Sequence, residues 1–335
     1  MSITYVEPSG ESPALARLEA VAAAEALGGG DTPPGAAAFQ GLIAVSVPDR
    51  AAVARLAGRI ALGRRCLELV RGGEVPEAAA AFEGKGGARA AFRRIGRSEG
   101  SSDSAVRAAG RAYQNAGGTI DLETPERRYW IAASAEGRNS LLIEVAVVDR
   151  PAIAARAMPR LPFRRPVSLA PRLARAAANL ARIRPGDRVL DPFLGTGALL
   201  AEAGLLGAQI YGIDRDPAMV RGALKNLSYL GVEATGVVEG DASTVDLPEP
   251  RLAFDSILTD PPYGRASATG GEDAAAVWRR VVPRWAKRVV PGGRVVAVVP
   301  VAFEPLPAPW AALSSVPVRV HRSLTREFRV YERSG

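Results

Sequence analysis

The chain has 335 residues, 47% of them apolar, which allows two or three domains with sizeable cores; no apolar run approaches the roughly 20 residues that span a bilayer. One cysteine (Cys66) and one histidine (His321) exclude an internal disulfide, a His/Cys zinc site and the Ser-His or Cys-His nucleophile arrangements, and suit a reducing cytoplasm. The net charge of +8 points to an anionic partner, nucleic acid first, although only three of the 43 basic residues are lysine and compositional bias is the other reading.

Residues 5–8 read as a short extended piece. A helix follows over 12–27, with Ser12 as cap, Pro13 in the first turn and Gly28-Gly29-Gly30 as its stop. A strand over 41–47, a helix from Asp49 to Ala61 and a strand over 65–70 complete a β-α-β-α-β order, consistent with a ferredoxin-like module. A second small unit covers 75–150, with strands over 88–95, 129–134 and 141–148 and a helix over 103–116. Between Phe82 and Gly118 stand seven basic residues against three acidic ones, with Phe92 and Tyr113 among them. Arginines with aromatic neighbours suit single-stranded RNA ends, which makes Arg89, Arg93, Arg94, Arg107 and Arg111 candidate RNA contacts; a solvated charged face over core aromatics is the competing reading. Residues 151–166 carry Arg156, Arg160, Arg164 and Arg165 among four prolines, the composition of a stiff, basic, exposed linker. Arg164 and Arg165 join the candidate RNA contacts.

From residue 167 to 335 strands and helices alternate. Helices are expected over 172–183, 198–206, 217–230 and 274–289. Strands are expected over 187–190, 209–213, 235–238, 254–258 and 294–299, with a closing hairpin over 316–321 and 328–331. That alternation predicts a doubly wound, mostly parallel α/β sheet with an antiparallel edge.

The strand ends carry the chemistry. Val189-Leu-Asp191-Pro-Phe193-Leu-Gly195-Thr196-Gly197 runs from strand into helix, and its glycines permit close backbone approach. The dinucleotide fingerprint is missing, and Asp191 sits badly beside a pyrophosphate but well beside an ammonium, so a nicotinamide oxidoreductase fits less well. Asp214 ends the next strand, where an acidic residue can accept from ribose hydroxyls. Asp241 ends the third and could accept from an adenine amine. The fourth strand opens on Asp260-Pro261-Pro262-Tyr263-Gly264. The prolines stop that strand at once and leave a carboxylate, a carbonyl and an aromatic ring at the sheet's end. That trio suits a planar base with an exocyclic amine. Singly, each aspartate reads as a cap or turn residue; four in succession on one sheet edge read as a cofactor and substrate site.

These motifs, with Arg165-Pro-Val-Ser-Leu-Ala-Pro-Arg-Leu-Ala-Arg175, Asn179 and Arg322-Ser-Leu-Thr-Arg326, resemble class I S-adenosylmethionine-dependent methyltransferases of the amino-methylating type. More narrowly they resemble the archaeal tRNA guanine-10 N2-methyltransferases and their eukaryotic relatives. The resemblance covers most of residues 160–332. It implies a Rossmann-like methyltransferase domain over 167–335, a linker over 151–166, and a ferredoxin-like plus THUMP RNA-binding region over 1–150, where Gly118-Thr-Ile-Asp-Leu-Glu-Thr-Pro-Glu126 is the best match. S-adenosyl-L-methionine is the implied cofactor, held by Asp191, Phe193, Gly195, Thr196, Gly197, Asp214 and Asp241. The implied partner is tRNA, and a cytoplasmic monomer without membrane association is expected. Asp260, the Pro261 carbonyl and Tyr263 would hold and stack the target guanine. Leu194 stands where the family usually has cysteine, a change in packing. Two alternatives stay open: an amine-methylating enzyme acting on another RNA or DNA base, and a catalytically inactive RNA-binding protein of the same fold.

Overall fold

The computed structural model describes residues 1–75, 78, 88–95, 102–165, 168–249, 251–262, 273–300, 303–321 and 324–335. The chain forms two compact units. One contains residues 1–10, 27–58 and 63–148; the other contains 11–26, 59–62 and 149–335.

The first unit is built on a single sheet. Strands β1 (Ser2–Pro8), β2 (Gly30–Asp31), β3 (Ile43–Val47), β4 (Gly63–Glu74), β5 (Arg89–Arg94), β6 (Thr119–Ile120), β7 (Arg127–Ala133) and β8 (Asn139–Val147) lie in the order β2-β3-β1-β4-β8-β7-β5-β6. The two modules read separately from the sequence therefore share one sheet. The reason is β4, which pairs antiparallel with β1 on one side and β8 on the other. Helix α3 (Ser102–Asn115) buries Ala105, Ala109 and Tyr113, a four-residue spacing that lines one helical face. The Tyr113 ring meets Phe92 edge-on, and its hydroxyl donates to the Ala88 carbonyl at 3.0 Å. A Cβ on Gly118 would lie 2.1 Å from the Tyr113 ring, so only glycine fits after this helix.

In the second unit, helix α1 (Pro13–Ala26) packs on α5 (Pro171–Leu180), far from it in sequence. Glu19 explains the pairing. Its buried carboxylate accepts from the Ala61 and Leu62 N–H groups, both at 2.8 Å, and from Asn179 Nδ2 at 2.9 Å. Asn179 also donates to the Arg59 carbonyl at 3.0 Å, and Arg59 donates to the Ile183 carbonyl. Three donors converging on one carboxylate satisfy a charge that would be costly to bury alone.

The remaining elements are α4 (Arg150–Ala155), β9 (Arg188–Asp191), α6 (Ala198–Gly204), β10 (Gln209–Asp214), α7 (Pro217–Tyr229), β11 (Ala234–Glu239), β12 (Phe254–Thr259), α8 (Ala274–Ala286), β13 (Val289–Val299), β14 (Trp310–His321) and β15 (Leu324–Arg333). Helix α2 (Arg50–Arg59) lies between β3 and β4 in the chain. The seven strands run β11-β10-β9-β12-β13-β15-β14, parallel up to β13 and antiparallel beyond it. The order reverses between β9 and β12, which makes their carboxyl ends the topological switch point where open α/β sheets bind ligands. Trp278, Trp285, Val281 and Val282 of α8 seal one face over Phe254, Ile257 and Val295.

Residues 151–165 are tied down rather than a free spacer, although about half of them remain exposed. Asp149 caps α4, and Arg156 forks onto the buried Glu202 at 2.7 and 2.9 Å. Leu161 is buried, and the Phe163 ring lies where a Cβ on Gly222 would fall, 2.2 Å away. The buried Asn226 then accepts from the Phe163 N–H at 2.9 Å and donates to the carbonyls of Phe163 and Thr196, both at 3.1 Å. Apolar anchors between the arginines fasten this stretch to the second unit. Among the described residues no helix is long and apolar enough to cross a membrane.

Candidate active site

Asp191, Asp214 and Asp260 sit at or beside the ends of β9, β10 and β12, and Asp241 follows β11. All four line one cavity of about 320 Å³ at the switch point. Phe193, Gly195, Thr196, Pro261 and Arg165 line it too. The glycine loop is shaped from its own backbone. Gly195 has φ +54° and Gly197 φ +82°, left-handed values that disfavour other residues. Leu194 N–H donates to the Ile213 carbonyl at 2.8 Å, and its side chain fills the space beside Gly212. Gly197 itself is not in the cavity wall; it caps α6 and packs against Ala223.

Asp191 is 2% exposed and accepts from the Phe193 N–H at 2.9 Å. Among the described residues it forms no ion pair. Burial pushes its carboxyl well above the usual carboxylate range; the Phe193 N–H pulls it back, and Asp260 and Asp214 push it further up. Such a carboxylate, buried without a fixed cation, suits a ligand that brings one. Asp214 accepts from the Gly195 N–H at 2.8 Å on one oxygen and from the Asp216 N–H at 2.9 Å on the other. Burial nonetheless raises its carboxyl. These bonds fix the carboxylate plane and hold the glycine loop against β10. Asp241 is tuned the other way. The Ser243 hydroxyl at 2.6 Å and N–H at 2.8 Å lower its carboxyl. Arg280 of α8 lies 3.7 Å from its other oxygen. Helix α8 holds this loop further, with Trp285 Nε1 donating to the Ala242 carbonyl at 2.7 Å.

Asp260 faces the same cavity, and Arg326 of β15 donates to its Oδ2 from Nη1 at 2.9 Å. Pro261 is buried and lines the cavity too. Tyr263 and Gly264 lie outside the described residues. Sequence reasoning did not assign Arg326, Arg280, Ser168 or Asn226 to the site. Ser168 and Thr196 share a 3.0 Å hydrogen bond across it. Arg326 belongs to the stretch 322–326 that carried the family resemblance, and that was its only signal.

Within the first unit, the arginines proposed to meet RNA lie on different elements and faces. Arg107 and Arg111 lie exposed one turn apart on α3. Strand alternation puts the exposed Arg93 on the face opposite Phe92, and thus opposite α3, and half-buried Arg94 on the same face as Phe92. Arg89 is engaged by Glu126 at 3.1 Å, Thr124 at 2.9 Å and Asp121 at 3.4 Å, which folds the 121–126 loop onto β5. In the second unit, Arg164 donates to the Leu161 carbonyl at 3.1 Å, and Arg165 lines the cavity.

Residues 160–306 match the family model described as RMKL-like, methyltransferase domain. The C-terminal segment is thus similar to a methyltransferase domain, over somewhat less than half of the chain. The chain is 39% identical over 175 residues to the tRNA (guanine(10)-N2)-dimethyltransferase of Methanothermobacter thermautotrophicus, covering 51% of each. It is 40% identical over 177 residues to the enzyme of the same name from Pyrococcus abyssi, covering 52% of each. With the tRNA (guanine(6)-N2)-methyltransferase of Thermus thermophilus it shares 34% over 186 residues, 54% of this chain and 53% of that one. The chain thus spans about half the length of the curated relatives it matches. The crystal structure of TrmN from Thermus thermophilus is similar in fold across 99% of both chains, with 22% identity and a TM-score of 0.50. Within the methyltransferase domain, the cavity stands at the carboxyl edge of the sheet and is walled by the glycine loop, the Asp260 turn and α8.

Proposed function

We propose that this protein transfers a methyl group from S-adenosyl-L-methionine to the exocyclic N2 of a guanosine in tRNA, at position 10. The observation that carries the reading is the meeting of Asp191 and Asp260 in one cavity, a buried carboxylate for an ammonium beside an acceptor turn for an amine. Names of relatives at 39–40% identity support guanosine 10 over guanosine 6.

The cavity fits the cofactor. Asp191 would take the ammonium, the carboxylate plane of Asp214 is set for vicinal hydroxyls, and Asp241 with the apolar wall of α8 would receive the base. When bound, the cofactor supplies a methyl group on a cationic sulfur, an electrophile that loses its charge on transfer. The residues of this chain then have one task. The guanine amine is a poor nucleophile because its lone pair is delocalised into the ring. Asp260 and the Pro261 carbonyl would accept its two N–H groups, hold the nitrogen in line and favour its pyramidal form. The surplus proton leaves the nitrogen after transfer, with Asp260 placed to pass it on. Tyr263 would stack on the base, which must leave the helix stack to enter. Arg107, Arg111 and Arg165 are proposed tRNA contacts, and residues 1–150 a ferredoxin-like and THUMP region.

The test is incubation of unmodified tRNA with cofactor labelled in the methyl group, followed by mapping of the modified nucleotide. Label at N2 of guanosine 10 is expected. Label on another RNA or on DNA would replace the substrate, and failure to bind the cofactor in calorimetry would overturn the reading.

A further inference from the structure

We infer that Arg326 is a positioning residue for the methyl-acceptor turn, holding the Asp260 carboxylate in its working plane through an ion pair from the antiparallel edge of the sheet. The inference rests on the methyl-transfer reading above and goes beyond it by assigning a residue that never needs to touch cofactor or base.

The sheet topology makes the contact. Thr259 pairs with Ala297 of β13, and Ala297 pairs with Arg329 of β15. Because β15 runs antiparallel, its beginning lies at the carboxyl edge, where β12 and β13 end. Glu327 is the last β15 residue paired with β13, opposite Val299, so Arg326 stands one residue beyond, level with the turn after β12. From there its guanidinium reaches Asp260 Oδ2 at 2.9 Å while its side chain is only 4% exposed. A cation this buried is costly unless paired. Asp260 shares its cavity with the carboxyls of Asp191 and Asp214, and a cation beside it offsets like charges gathered there. Each partner solves the other's problem.

The pair also constrains the chemistry. A guanidinium is planar and presents its donors in a fixed fork, so it fixes the rotation of the carboxylate as well as its charge. Tying Oδ2 to Arg326 orients the whole Asp260 carboxylate toward the amine site. Its contribution is then geometric: it holds the amine by an N–H bond while methyl transfer occurs. A misplacement of about 1 Å in such a group costs on the order of 100-fold in rate.

The experiment is a double-substitution cycle on the full chain with R326Q, R326K, D260N and D260N/R326Q. Single-turnover methylation of saturating tRNA, the KM for tRNA and the cofactor Kd by calorimetry are measured for each, and thermal melting checks folding. For R326Q the expected result is a loss of about 100-fold in the single-turnover rate, with cofactor Kd and KM for tRNA within about threefold of wild type. R326K should recover about a tenth of the wild-type rate, because charge returns without the planar fork. In the D260N background, R326Q should change the rate by less than about threefold, since the charge it orients is gone. Equal losses from R326Q in both backgrounds, an unimpaired R326Q rate, or an effect confined to binding would overturn the inference. Those outcomes leave an active wild type and so the methyl-transfer reading intact. A wild-type chain that methylates no tRNA would overturn both.

Discussion

Asn226 offers the sharpest test of how the cavity is held. Its side chain makes three hydrogen bonds, to the N–H and C=O of Phe163 and to the C=O of Thr196, and it is 2% exposed. Asn226→Ala strands one donor and two acceptors where water has no ready access. With each lost bond worth about 1 kcal/mol net and some void left behind, the loss of stability should be about 3–4 kcal/mol. Asn226→Asp should be at least as harmful near neutral pH. It keeps the acceptor for the Phe163 N–H but turns a carboxylate oxygen toward two carbonyls. Urea unfolding monitored by tryptophan fluorescence suits the measurement, because Trp278, Trp285 and Trp310 all lie in the second unit and Trp130 alone in the first. The midpoint should fall with little change in slope. Cofactor affinity should fall too, since Thr196 and the Phe163–Arg165 stretch border the site. A loss below about 1 kcal/mol for Asn226→Ala, or an Asn226→Asp protein as stable as wild type, would refute the account of this residue as the fastener of the cavity wall.

Further outcomes follow from the same structure. Asp191→Asn should weaken cofactor binding by about 10- to 150-fold, the worth of a charge-assisted hydrogen bond, in calorimetry. Without cofactor the sign reverses. The folded protein holds the Asp191 proton more tightly than the unfolded chain, so its stabilising share is full below about pH 4 and lost as pH rises through the raised folded value. Asp191→Asn should therefore melt higher than wild type at pH 8 and equally at low pH; a lower melting point at pH 8 would count against it. Gly222→Ala should cost about 1 kcal/mol net, as crowding of the Phe163 ring outweighs the gain in helix propensity, and a raised melting temperature would contradict the packing. Replacing Arg107 and Arg111 together by glutamate should weaken tRNA binding and flatten its salt dependence by about one to two units of slope. Arg89→Ala should do much less, because that side chain fastens the 121–126 loop. Filter binding at several salt concentrations separates the two.

The methyltransferase sheet was legible in the sequence because parallel strands announce themselves. Four of the five are apolar runs stopped by a glycine or an aspartate, and their aspartates mark the carboxyl edge. What was lost lay in contacts that run against chain order. Arg326 reaches the site from a strand that enters the carboxyl edge backwards, so no spacing from Asp260 could reveal it. Asn226 looked like an ordinary helix residue, because its partners are backbone groups some 63 and 30 residues away. The arginine-rich stretch over 151–166 read as exposed because charge dominates its composition; Leu161 and Phe163, the residues that anchor it, are only two among sixteen. Likewise the candidate RNA arginines followed from composition, and composition cannot show that Arg89 fastens the 121–126 loop.

The Glu19 carboxylate carries an implication for how this chain comes into being. Helix α1 leaves the ribosome well before its partners, because Asn179 and α5 are made some 160 residues later. At about 5–20 residues per second, the helix waits for roughly 8–32 s with its acid undocked. During that wait the first unit can close its own sheet without it, because α1 is no part of that unit. A fragment beginning after residue 150 would never receive the helix at all. It would leave Asn179 and the apolar face of α5 open, and should aggregate or require the separate α1 peptide to become soluble. The natural fragment for work on methyl transfer is therefore the whole chain.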